Sequence, residues 1–78
     1  MWHVYILKCK DETYYTGCTG DLNERIKRHN NGEVKYTSSR LPIELVSYFS
    51  FSTKHKAYDF EKYLKSGSGK AFAKKRLI

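Results

Sequence analysis

Residues 2 to 9 alternate between two sides, with Trp2, Val4 and Ile6 on one and His3, Tyr5 and Leu7 on the other, a period of two that predicts a strand. Lys10, Asp11 and Glu12 form a polar turn, and Thr13 to Cys18 resumes with β-branched and aromatic residues. The two runs should therefore pair as an antiparallel hairpin. With a three-residue loop, Cys9 faces Thr13, Leu7 faces Tyr15 and Tyr5 faces Gly17. Tyr5 and Tyr15 then share a sheet face as diagonal neighbours, about 7–8 Å apart in the backbone, whereas a two-residue loop would separate them.

The period changes after Gly20. In "DLNERIKRHN", Asp21 is followed three residues later by Glu24, Leu22 and Ile26 stand four apart, and Asn30, Asn31 and Gly32 close the segment, which predicts a short capped helix. Arg25 and His29 are also four apart, so they share a face flanking the apolar stripe. Residues 33 to 43 show neither period and contain Pro42, which predicts an exposed basic loop, and loops of that length are more often functional than not.

"ELVSYFSF" at 44 to 51 predicts a third strand with Leu45, Phe49 and Phe51 facing inward and Glu44 and Ser50 outward. Thr53 caps a helix running to about Lys65 with a core stripe of Ala57, Phe60 and Leu64. Glu61 sits in that stripe, where a carboxylate is partly desolvated and needs a cation or a metal. "SGSG" at 66 to 69 is expected to end this helix, and "KAFAKKRLI" to add a helical turn or two that packs back on the core. The order is ββαβα with a short C-terminal helix, an α+β chain.

At 78 residues, one core must serve every element, so residues 1–78 are read as a single domain. No apolar stretch approaches the roughly 20 residues of a membrane helix, and Lys8 and Lys10 break the N-terminal run, so no membrane partner is expected and the expected location is cytoplasmic. Cys9 and Cys18 form no CxxC pair and the three histidines hold no ligand spacing to them, which favours two reduced thiols over a zinc site or disulfide. Fifteen Lys and Arg against eight Asp and Glu leave a charge of +7, a field that attracts polyanions.

Two tyrosines on a hairpin, Arg25 and His29 on the next helix and Glu61 on a later one are suitable parts for phosphodiester hydrolysis. Glu61 can hold a divalent ion, Arg25 can bind a phosphate through its planar fork, and a tyrosine can activate water if nearby cations lower its pKa from about 10. These residues resemble the GIY-YIG endonucleases, in particular the small single-domain bacterial members. "HVY" at 3 to 5 stands at the GIY position, "YTG" at 15 to 17 at YIG, "RIKRH" at 25 to 29 at the R-x-x-x-H helix, and "EKYLKSGSG" carries the acidic position at Glu61.

The resemblance implies a three-stranded antiparallel sheet flanked by helices and metal-dependent hydrolysis of nucleic acid. It makes Tyr5 the water-activating residue, Arg25 the phosphate clamp, Glu61 the ligand of a single Mg²⁺ or Mn²⁺, and Tyr15 and His29 polar supports. Gly17 would leave room for the substrate backbone, and Lys35, Tyr36 and Arg40 of the basic loop would contact substrate. His3 and Thr16 depart from the motif's glycine and central apolar residue, and the C-terminal Asn of several larger members has no counterpart. The expected substrate is DNA rather than RNA, structured, nicked or single-stranded, in repair or processing, with targeting left to the loop, the tail or a partner protein. The alternative is a basic nucleic-acid-binding module with weak or no catalysis, its affinity supplied by counterion release.

Overall fold

A computed structural model describes all 78 residues and contains seven elements. They are β1 (Trp2–Lys8), β2 (Tyr14–Thr19), α1 (Leu22–Asn30), α2 (Lys35–Ser38), β3 (Glu44–Phe51), α3 (Lys54–Leu64) and α4 (Gly67–Arg76). The three strands form one antiparallel sheet in the order β2-β1-β3, so β1 is central and both neighbours are edges. No helix is long and apolar enough to cross a membrane.

The hairpin takes the three-residue loop. Tyr5 pairs with Gly17 and Leu7 with Tyr15, and Glu12 adopts a left-handed φ of 67°, the conformation such a loop requires at its last position. Asp11 stabilises the tip by accepting from the Thr13 amide at 3.1 Å and from its hydroxyl at 2.6 Å. These bonds, more than the Arg40 guanidinium that also reaches it, hold the Asp11 carboxyl below its ordinary pKa.

One sheet face carries Val4 and Ile6, with Cys18 opposite Val4, and is covered by Ala57 and Leu64 of α3 and Ala73 of α4. Trp2, Val46, Phe51, Phe60 and Leu77 close its rim. The expected inward set of β3 needs one correction. A bulge leaves Val46 unpaired, because Ile6 pairs with Ser47 and Leu7 with Leu45, so the alternation changes parity there. Val46 joins the core, and Leu45 goes to the opposite face with Tyr5 and Leu7, where it is 38% exposed.

Two further expectations are corrected. The basic loop contains a single helical turn, α2, too short to show a period; its buried Thr37 is the anchor. α3 ends just before "SGSG", as expected, but the same segment also starts the next helix. The Ser66 hydroxyl accepts from the Gly69 amide at 3.2 Å as the N-cap of α4 and donates to the Tyr63 carbonyl at 2.6 Å, so Lys65 and Ser66 suffice to turn the chain between helices. α4 is a ten-residue helix, longer than the expected turn or two.

Gly69 permits this turn by packing directly on the backbone of Tyr63 and Leu64, where a Cβ would collide. Gly67 faces open space. Gly69→Ala should therefore lower stability in urea unfolding by about 1–3 kcal/mol, whereas Gly67→Ala should be neutral or stabilising by up to about 1 kcal/mol.

Candidate active site

Tyr5 rises from the centre of β1 and leans across to β2. Its ring end lies over Gly17, so close that any Cβ there would overlap the Tyr5 Cζ and hydroxyl. The missing side chain of Gly17 thus makes room for Tyr5; Gly17 is itself buried, and the expected passage for the substrate backbone at this position is corrected accordingly. Tyr5 is fully buried.

The Tyr5 hydroxyl meets His29 Nε2 at 2.9 Å, and His29 Nδ1 meets Thr37 Oγ1 at 2.7 Å. Thr37 directs its own hydroxyl hydrogen to the Val34 carbonyl at 3.4 Å, so its oxygen is left to accept from His29 Nδ1–H. His29 Nε2 is then the acceptor for the Tyr5 hydroxyl. The tautomer is set by α2, the element the sequence pattern did not disclose. Burial pushes the His29 pKa down, and Arg25 and Arg28 add to the shift, so the ring is neutral near pH 7. Burial likewise pushes the Tyr5 phenol up to about 12, with Tyr15 reinforcing the rise, Arg25 opposing it and Glu61 adding to it.

Arg25 and Glu61 approach this phenol from two helices. Arg25, on α1, makes no ion pair, and its buried Nε has no hydrogen-bond partner. Glu61, on α3, is 16% exposed at its side chain and accepts from Lys65 Nζ at 2.9 Å. Both are near enough to act on Tyr5 and on the buried Cys18 thiol, which burial and then Glu61 push up while Arg25 and Lys54 oppose. The five expected site residues converge. Tyr15 packs edge-on to His29 with ring centres 5.1 Å apart and lies 6.3 Å from the Tyr5 ring, as the hairpin register requires.

The loop residues divide. Tyr36 lies against Tyr15, 5.5 Å between ring centres, and is 40% exposed, while Lys35 is exposed on the same turn. Arg40 stacks 4.1 Å over the Tyr36 ring, donates to the Tyr36 carbonyl and pairs with Asp11 at 3.1 Å. Its guanidinium is committed to joining the loop to the hairpin tip and covers the Tyr36 ring, which leaves Lys35 as the free member of the expected substrate-contacting set. Lys65 is the i+4 partner that the sequence spacing offers Glu61, and the pair forms. Thr37 is the site neighbour that sequence reasoning missed, and it carried no signal.

His29 also gives the fold a pH dependence. Its folded pKa lies below the unfolded value of about 6.5, so the unfolded chain binds the extra proton and stability is lost as pH falls through and below about 6.5. Urea midpoints should drop between pH 7.5 and 5.5, and the drop should be smaller in His29→Asn. Equal drops in the two proteins would show that His29 does not cause it.

Comparison with known proteins identifies the family and the fold. The family model described as the GIY-YIG catalytic domain matches residues 1–76. A UPF0213 protein of Clostridium perfringens is 53% identical over 66 residues, covering 83% of this chain and 71% of the relative. The UPF0213 protein YazA of Bacillus subtilis is 50% identical over 62 residues, covering 78% of this chain and 63% of YazA, so the chain spans less than two thirds of that relative. The solution NMR structure of a UPF0213 protein from Bacillus halodurans is similar with a TM-score of 0.60 at 40% identity, covering 96% of this chain and 84% of that one. The chain belongs to the GIY-YIG family of nuclease domains, among its small UPF0213 members.

Proposed function

We propose that the protein is a divalent-metal-dependent endonuclease that hydrolyses phosphodiester bonds in DNA. The observation that carries this reading is Arg25, a buried guanidinium nitrogen without a partner beside a buried phenol and a carboxylate. An unpaired buried donor costs free energy, and an incoming phosphate oxygen is the acceptor that would satisfy it.

The proton path follows from the hydrogen bonds. A water attacking phosphorus would pass a proton to the Tyr5 oxygen as the Tyr5 hydroxyl passes its own to His29 Nε2, and Thr37 would hold the resulting imidazolium through Nδ1–H. With a pKa near 12, Tyr5 is a neutral phenol at rest, so the relay through His29 replaces a standing phenolate. Arg25 next to the imidazolium opposes that charge until a phosphate neutralises the guanidinium, which ties proton transfer to substrate binding.

No group of three His, Cys, Asp or Glu side chains is present that could hold a metal ion. Glu61 alone fits Mg²⁺ or Mn²⁺, ions commonly held by one or two carboxylates with water and substrate oxygens completing the shell. When bound, such an ion supplies charge neutralisation at the phosphate and the leaving oxygen. Lys65 would have to release Glu61 for it. The second reading, a binding module without catalysis, is favoured by the complete burial of Tyr5 and by the +7 charge.

The test is cleavage of labelled single-stranded, duplex, nicked and branched DNA, with RNA alongside, in Mg²⁺ or Mn²⁺ and in chelator. Cutting should need the metal and fall by about 10²–10⁴-fold in Glu61→Ala, Tyr5→Phe and Arg25→Ala. If Tyr15→Phe abolishes cutting and Tyr5→Phe does not, the two phenols exchange roles. Salt-sensitive binding without cutting of any substrate would establish the binding module instead.

A further inference from the structure

A groove of about 810 Å³ opens along edge strand β2, at the end of the strand away from Gly17. Its floor is apolar, formed by Ile6, Leu64 and Ala73. Tyr14, Tyr15 and Tyr36 stand along it, and Tyr14 and Tyr36 are each 40% exposed. Lys65, Lys70 and Lys74 supply its cations, and no Asp or Glu lines it. The groove is continuous with the catalytic cluster at two points. Tyr15 belongs to both, and Lys65 holds Glu61.

We infer that this groove is a binding site for an unpaired nucleic-acid strand and seats the nucleotides that flank the cleaved bond. The inference rests on the nucleic-acid reading above but not on cleavage. Duplex recognition through phosphates needs cations on an open surface; it has no use for an apolar floor between aromatic rings, because the base faces of a duplex are buried in its stack. Unpaired bases do present those faces, and they stack on exposed aromatic side chains while neighbouring lysines follow the backbone. Tyr14 is the stacking platform, Tyr36, whose ring Arg40 covers, walls the groove, and Lys70 and Lys74, one turn apart on α4, face the phosphates. The volume is that of a small-ligand cleft, enough for a nucleotide or two and too small for a double helix.

Lys65 links the groove to the metal ligand. A phosphate seated in the groove would draw Lys65 Nζ from Glu61 and free the carboxylate. Filling of the groove and readiness of the site are coupled through that one side chain.

Binding can be read in chelator, without catalysis, by fluorescence anisotropy of labelled oligothymidylate, oligouridylate and a duplex of equal length. The unpaired strands should bind at least tenfold more tightly than the duplex, and the DNA and RNA arms identify which strand is preferred. Tyr14→Ala should weaken strand binding about tenfold or more. Lys70→Ala/Lys74→Ala should lower the slope of log K against log salt by about 1.4, from roughly 0.7 per phosphate contact. The charge-matched double variant Lys56→Ala/Lys75→Ala, outside the groove, should do less. Circular dichroism and urea midpoints confirm that the variants are folded. Duplex binding equal to or tighter than strand binding, or groove variants no worse than the control pair, would overturn the site. Strand binding in the groove with no cleavage of any substrate would retain it while removing the nuclease reading.

Discussion

The buried hydrogen bond between the Tyr5 hydroxyl and His29 joins the central strand to α1, and through Thr37 and the Val34 carbonyl it reaches α2. The Tyr5, His29 and Thr37 side chains along this line are buried, where an unmet donor or acceptor costs more than a made bond returns. Gly17 must lack a side chain for Tyr5 to lie as it does, His29 must be neutral for Nε2 to accept, and α2 must close over Thr37 for the tautomer to be set. Three elements are thereby held in one geometry by a chain of side chains that also carries the proposed proton path.

Around that neutral line the charges are arranged with opposite degrees of satisfaction. Glu61 is matched by Lys65, a neighbour on its own helix, in a pair of the kind that contributes only a few tenths of a kcal/mol where exposed and that an arriving ion can replace. Arg25 is not matched at its buried nitrogen, and its field lowers the His29 pKa and works against the burial of the Tyr5 phenol. An anion that pairs with Arg25 would relieve both effects together. The site is thus electrostatically incomplete in the direction that a phosphodiester would complete.

The position of β2 at the edge of the sheet is what lets a small chain place this cluster within reach of a long polymer. Helices α1 and α3 flank one end of the strand with Arg25 and Glu61, while α4, rich in Lys and Arg and free of acids, borders the groove at the other end. The sharp turn at Ser66 and the close approach of Gly69 to α3 bring that basic helix back alongside the strand. The register of the hairpin, the caps of α1 and α3 and the five converging residues were readable because each depends on spacing within a few residues: a three-residue loop fixes parity, Asp21 and Thr53 bond to amides three residues on, and a fourfold step stacks Arg25 on His29.

What local spacing could not reveal are the features whose causes lie elsewhere in the fold. The face of Leu45 depends on a bulge between β3 and β1, the role of Gly17 on a ring arriving from the opposite strand, and the helical character of "SGSG" on a seat for Gly69 against α3. The tautomer of His29 depends on a threonine eight residues away in a turn without periodicity. The sequence by itself therefore determined the three strands, α1 and α3, their order and the residues that meet around Tyr5, because these follow from short-range alternation, capping and motif spacing. Only the tertiary structure decided how protons and charges are distributed within the site and where a basic, aromatic groove meets it, because burial and long-range packing set both.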